Sequence, residues 1–233
     1  RLGDKMVVRT TLPSADSTLV GDLDDDGKLE IVATAGSALL VYSGSGELQQ
    51  RIKLPHPCFL AMLEDADGDG ALEMFLGSSG RGFSSYVYRR DGALLKSFAG
   101  RHAGGEDVTM RPIALVRDKL LVGYNAGYAR TPRGVDAVDY EYGTELWYYQ
   151  IGPANGNYSV ADMEGDGNLD VVMSSYTVHN GASGNRTTDG DLFVIVVDED
   201  GGGKLTVQYS GTSNGSAEHV FADLDEDGRM EVL

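Results

Sequence analysis

Four stretches of this sequence, VGDLDDDGKLEIVA, LEDADGDGALEMFL, VADMEGDGNLDVVM and FADLDEDGRMEVL, align without gaps. Each sets acidic residues at positions 1, 3, 5 and 9 of a loop whose position 6 is glycine. Alternate carboxylates on a tightly turning backbone can converge on one hard cation, and Ca²⁺ takes roughly six to eight oxygens at 2.3–2.6 Å. Glycine permits the turn. The ligands expected in the first loop are Asp22, Asp24, Asp26, the carbonyl of Lys28, and Glu30. In the second they are Asp65, Asp67, Asp69, the carbonyl of Ala71, and Glu73. The third offers Asp162, Glu164, Asp166, the Asn168 carbonyl and Asp170, and the fourth Asp223, Asp225, Asp227, the Arg229 carbonyl and Glu231. Four Ca²⁺ ions are therefore expected. Mg²⁺ fits less well, because it keeps several of its own waters. Glu164 is one methylene longer than the Asp at that position elsewhere, so the third loop is expected to differ in affinity.

An EF-hand loop begins in the same way but needs an acid at position 12, where this chain has Ala33, Leu76 and Met173. Each loop leads into a short apolar, β-prone run such as LEIVATA or LDVVMSS, without helical period. The loops therefore join strands. One acidic, glycine-containing turn would read equally well as a solvated hairpin; four copies with identical internal spacing argue for metal.

The first acids of the loops lie 43, 97 and 61 residues apart, so the middle interval holds about two repeats. The missing loop is at Pro112 to Asn125, PIALVRDKLLVGYN, where only Asp118 remains of the acids. Within the first repeat, strands are expected at Thr18–Asp22, Leu29–Ala35, Ala38–Ser43 and Glu47–Leu54, with turns at Gly36-Ser37 and Ser43–Gly46. The second repeat has its strands at Cys58–Glu64, Leu72–Gly77, Ser84–Arg89 and Ala93–Phe98. Four antiparallel strands per repeat of about 45 residues define a propeller blade. The predicted class is all-β: a propeller of four-stranded blades whose calcium loops join the first two strands. Blades are expected at about 17–55, 57–101, 108–152 and 158–211, with a partial blade at 217–233 and a lone outer strand at 5–11. This suggests part of a larger propeller. An insertion is expected at Thr177–Gly190.

The pattern resembles FG-GAP or VCBS-type repeats, the calcium-loop blades of integrin-α-like propellers, over nearly the whole chain. The resemblance implies the blade and its metal more strongly than any function, since such propellers serve as adhesins, lectins, scaffolds and some polysaccharide lyases. GTELWYYQIG also looks like an outer strand of quinoprotein-type blades, but no second copy supports a quinone cofactor.

With 32 glycines, 12 tyrosines and 41% hydrophobic residues, the chain has the composition of many short strands joined by tight turns. A formal charge of -17 argues against a nucleic-acid partner, which needs clustered Lys and Arg. Nineteen of the 36 acids lie in or beside the four loops, so the acidity is largely explained by metal binding. No apolar run approaches the ~20 residues of a membrane span. Cys58 is the only cysteine, which excludes an internal disulfide, and it is expected to be buried. A secreted or cell-surface location is expected.

Antiparallel topology sends the calcium loops to one rim and collects on the other Arg81, His102, Tyr128, Arg130, Arg133, His179 and Asn180, with His56, Arg186 and His219 near them. Arg gives forked donors for carboxylates and aromatic rings stack on sugars, so that rim is the expected surface for a glycan or protein partner. The run Tyr140, Tyr142, Trp147, Tyr148, Tyr149 is expected to pack between blades. No G-x-S-x-G, phosphate loop or H-E-x-x-H motif occurs. Three classes stay open: a glycan- or protein-binding module, a structural scaffold, and a polysaccharide lyase in which His102, Tyr128 or His179 would act as base.

Overall fold

The computed structural model describes residues 13–80, 83–100, 108–127, 131–177, 179, 181–209 and 215–233, and among these there is no helix. Consequently none is long and apolar enough to cross a membrane. The strands are β1 (Ser17–Gly21), β2 (Glu30–Ala35), β3 (Ala38–Tyr42), β4 (Leu48–Lys53), β5 (Cys58–Glu64), β6 (Glu73–Ser79), β7 (Ser84–Tyr88) and β8 (Leu94–Ala99). They continue with β9 (Val108–Val116), β10 (Lys119–Ala126), β11 (Gly134–Asp139), β12 (Glu145–Gln150), β13 (Ala154–Ala161) and β14 (Asp170–Tyr176). The last are β15 (Ser183–Gly184), β16 (Thr187–Thr188), β17 (Leu192–Val197), β18 (Gly203–Tyr209), β19 (Phe221–Ala222) and β20 (Glu231–Val232). Two compact units result, one formed by the chain up to Ser78 with Tyr86–Ser97, the other by Ser79–Ser85 with Phe98–Leu233.

In the first unit β1, β2, β3 and β4 pair antiparallel in chain order, and β5 pairs with β6 and β6 with β7. The middle strands are apolar on both faces: β6, EMFLGSS, is buried at six of its seven positions. The fourth strand is different. β4, LQQRIK, buries only Ile52, as suits an outer strand that keeps its edge polar. Leu23, Val32, Leu39, Val41, Ile52, Leu54, Leu60, Met74 and Leu76 make one core around the buried Cys58.

In the second unit β9 to β12 pair in chain order, and β13, β14, β17 and β18 form a four-stranded sheet. The segment without the acidic loop makes a tight turn at Arg117-Asp118, where Arg117 takes φ 57°. β17, LFVIVV, is buried throughout, and its Phe193, Ile195 and Val197 join Val171, Met173, Val135 and Ile151 in the core. The expected insertion leaves β14 and returns at β17, and it carries the small β15–β16 hairpin.

A similar turn joins third and fourth strands in four repeats, one residue longer at Asp139–Thr144 than in the other three. Ser43 N–H donates to Glu47 O, Arg89 to Ala93, Asp139 to Thr144 and Asp198 to Gly202, all at 2.8–3.0 Å. Directly beyond it the register shifts by one residue between Val41/Tyr42, Ala137/Val138 and Val196/Val197. This fixes which residues of different repeats are equivalent.

Near the end of the chain β19 pairs with β20, and the His219 ring lies 5.4 Å from that of Phe221. Both His219 ring nitrogens are buried without a hydrogen-bond partner among the described residues, and burial depresses its pKa. A depressed folded-state value means stability that is present above the ordinary histidine value and lost as pH falls through it. Acidifying from about pH 7.5 to 5.5 should lower the melting temperature more for the wild-type chain than for His219→Phe. Equal slopes for the two proteins would refute this.

Candidate metal centres

All four acidic loops have one backbone. The position 1 carboxylate accepts the N–H groups of positions 5 and 6: Asp22 from Asp26 and Gly27 at 3.2 and 2.8 Å, Asp65 from Asp69 and Gly70 at 3.2 and 3.0 Å. Asp162 does the same with Asp166 and Gly167, and Asp223 with Asp227 and Gly228. The position 5 carboxylates of Asp26, Asp69, Asp166 and Asp227 each accept the N–H of position 7 at 2.8–2.9 Å. Position 6 glycine takes φ of 79, 93, 86 and 87° in turn, the left-handed region that glycine enters without strain. Position 4 is left-handed too, at Asp25, Gly68, Gly165 and Glu226, a feature the sequence alone did not suggest.

Asp22, Asp24 and Glu30 bring carboxylate oxygens within 4.8 Å of one another, as do Asp65, Asp67 and Glu73, and Asp223, Asp225 and Glu231. Two oxygens bound to one calcium at about 2.4 Å can be at most twice that distance apart, so these donor sets fit the ion. In each of these three loops the position 9 glutamate is held by the N–H of position 2. Leu23 donates to Glu30 at 3.0 Å, Ala66 to Glu73 at 2.9 Å and Leu224 to Glu231 at 2.8 Å. Glu30 and Glu73 are buried. Burial, helped by the charges of Asp67, Asp69 and Asp65, raises the pKa of Glu73 against the opposing bond from Ala66. A bound cation would relieve that repulsion.

The third loop is arranged differently. Asp162, Glu164 and Asp170 do not form such a triplet; Lys204 Nζ lies 2.5 Å from Glu164 Oε2 and 2.9 Å from Asp170 Oδ1. Asp170 is only 2% exposed, and burial raises its pKa while the Lys204 bond opposes the rise. Arg117 donates to the Asn168 side-chain carbonyl at 3.1 Å.

Neighbouring loops touch within each unit. In the first, a cleft of about 550 Å³ is lined by Asp24, Asp69, Glu73 and Arg90, with Arg90 paired to Asp24 and donating to Gln49 at 2.9 Å. In the second, Met230 N–H donates to Met163 O at 3.1 Å, and a Cβ on Gly165 would lie 2.6 Å from Gly228 O. Neither Arg90 nor Lys204 was singled out from sequence. The only signal was positional, since Lys204 stands two residues past the recurring turn bond, where the other repeats have Gln49, Leu95 and Leu146.

Of the expected partner-binding residues, Arg81, His102, Tyr128, Arg130 and Asn180 lie outside the described residues, as does the lone strand at 5–11. His179 is exposed, with φ 50° and its N–H on Asp189 O at 3.2 Å. Arg133 does not belong to an exposed surface. Its side chain is fully buried, donating to the carbonyls of Ala126, Gly127 and Gly152 at 3.2, 3.0 and 2.6 Å, with Asp189 at 3.9 Å. A forked cation satisfying several carbonyls is the physical reason for the difference. The aromatic run packs as expected for Trp147 and Tyr149, which border the core of the second unit, whereas Tyr142 is 80% exposed.

No protein-family model and no curated protein sequence matches the chain. Among solved structures it is similar to the V. cholerae biofilm matrix protein Bap1, with a TM-score of 0.58 and 22% identity over 88% of this chain and 31% of that one. It is also similar to a quinohemoprotein alcohol dehydrogenase from Pseudomonas putida, with a TM-score of 0.59 and 14% identity over 98% and 39%. A third likeness is to the rhamnogalacturonan lyase YesW, with a TM-score of 0.54 and 19% identity over 94% and 55%. These likenesses establish the fold alone: an all-β chain with propeller-like neighbours, spanning only part of each.

Proposed function

We propose that this chain is a calcium-stapled β-propeller segment of a secreted or cell-surface protein, built from FG-GAP or VCBS-type blades. Its function is to present a rigid surface to a glycan or protein partner. The observation that carries this reading is the one loop backbone repeated four times, three copies of which bring three carboxylates together. When bound, calcium would neutralise those carboxylates and fix the turn between two strands. Asp22, Asp24, Glu30 and their counterparts would hold it. The partner would meet other loops, because rigid scaffolds commonly carry recognition on their connections. The likeness to a biofilm matrix protein supports a setting among extracellular polymers.

A glycan array probed in millimolar calcium and again in chelator tests this. Binding that needs calcium, and disappears as the fold loosens, is the expected result. Folded, calcium-loaded protein that binds no glycan would refute the glycan as partner and leave a protein partner or the scaffold role. The lyase alternative draws on the similarity of fold to YesW. It is tested by incubation with pectic or other uronate polymers, where a rise in absorbance from unsaturated products would replace the binding reading with catalysis.

A further inference from the structure

We infer that the third acidic loop carries its own cation, the ammonium group of Lys204, and is not filled by calcium under conditions that fill the other three. This rests on the calcium reading of the remaining loops and refines it. Lys204 Nζ contacts Glu164 Oε2 at 2.5 Å and both Asp170 oxygens, at 2.9 and 3.1 Å. These are the position 3 and position 9 carboxylates, two of the three that converge in the other loops. An ion ligated by Glu164 and Asp170 would sit against the ammonium, so the two cations exclude each other.

Two independent features of the chain agree with this. The first is a reciprocal exchange of side-chain lengths. The other loops have aspartate at position 3 and glutamate at position 9, as in Asp24 and Glu30, whereas this loop has Glu164 and Asp170. The shorter Asp170 does not receive the N–H of position 2: among the described residues Met163 makes no bond to it corresponding to that from Leu23 to Glu30. Its carboxylate stays near the strand, and the longer Glu164 reaches over to share the ammonium. The second feature is the position of Lys204 itself. The fourth-strand site two residues beyond the turn bond is Gln49, Leu95 and Leu146 in the other repeats. A lysine stands there only beside the exchanged pair. Arg90 in the first unit is no equivalent, since it pairs with Asp24 alone and leaves the triplet with Asp22 and Glu30 assembled.

The test is calcium stoichiometry and melting temperature, in calcium and in chelator, for the wild-type chain, Lys204→Gln and Asp162→Asn. Gln is the residue the first repeat carries at this site. The wild type should bind three ions and Lys204→Gln four, with the wild-type affinity of the third loop about tenfold or more below the others. In chelator Lys204→Gln should melt below the wild type, because Asp170 is then buried without a counter-charge, and calcium should restore it. Asp162→Asn should leave the wild-type count at three, which decides the matter even if Lys204→Gln fails to fold. Four ions in the wild type, or loss of one in Asp162→Asn, would overturn this inference and leave the calcium reading intact. No calcium binding by any of the proteins would overturn both.

Discussion

Chelating calcium should lower the melting temperature of this chain by roughly 15–30 °C. Each ion that binds only the folded state contributes RT ln(1 + [L]/Kd), about 2.7 kcal/mol per site at hundredfold saturation. Three sites come to about 8 kcal/mol, and a chain of this size shifts by about 2–4 °C per kcal/mol. The sign is reinforced by what is left behind. In Asp65, Asp67 and Glu73 three carboxylates lie together, with Glu73 buried and its pKa already raised by burial and by those neighbours. Asp67→Ala should remove about a third of the calcium effect and one ion from the count. Calorimetry in millimolar calcium and in excess chelator measures both. Equal melting temperatures in the two buffers would mean that the loops are not structural metal sites.

The second large effect is expected far from the loops. Arg133→Ala should destabilise the second unit by about 3–5 kcal/mol, the range found when one partner of a buried charge pair is removed. The substitution strips donors from the carbonyls of Ala126, Gly127 and Gly152 and leaves Asp189, 2% exposed, facing the vacated space. Asp189 also accepts the N–H of Gly181 at 3.0 Å, so the start of the β15–β16 hairpin should loosen with it. Arg133→Lys keeps the charge but not the planar fork, and should cost less. Trp147, the only tryptophan, packs against the core of the second unit and reports unfolding in urea. A loss below about 1 kcal/mol in Arg133→Ala, the level of an ordinary surface change, would show that the guanidinium is not structural.

Both expectations depend on features of different legibility. The loops were readable because their chemistry is local. Nine residues contain the carboxylates, the left-handed glycine and the N–H groups they bind, so spacing alone determines the turn. The strands were readable for a similar reason: apolar runs such as LFVIVV have no solution but burial, and the turns between third and fourth strands recur with fixed punctuation. The first four strands fall within a residue or two of where alternation and turns put them.

What sequence could not supply was the partner across the fold. Arg133 looked like an exposed loop cation, because nothing within its own segment marks the carbonyl of Gly152 or the carboxylate of Asp189 as neighbours. Lys204 looked like an ordinary residue of an outer strand, yet its ammonium reaches acids 34 and 40 residues earlier in the chain. Composition and spacing therefore determined that this protein is all-β and repetitive, with one acidic, glycine-containing loop in four copies, since those properties reside in short stretches of chain. Tertiary structure decided that Lys204 meets the third acidic loop and that Arg133 is buried. Such contacts are set by strand pairing and register, which bring distant residues within hydrogen-bond reach and leave no local mark in the sequence.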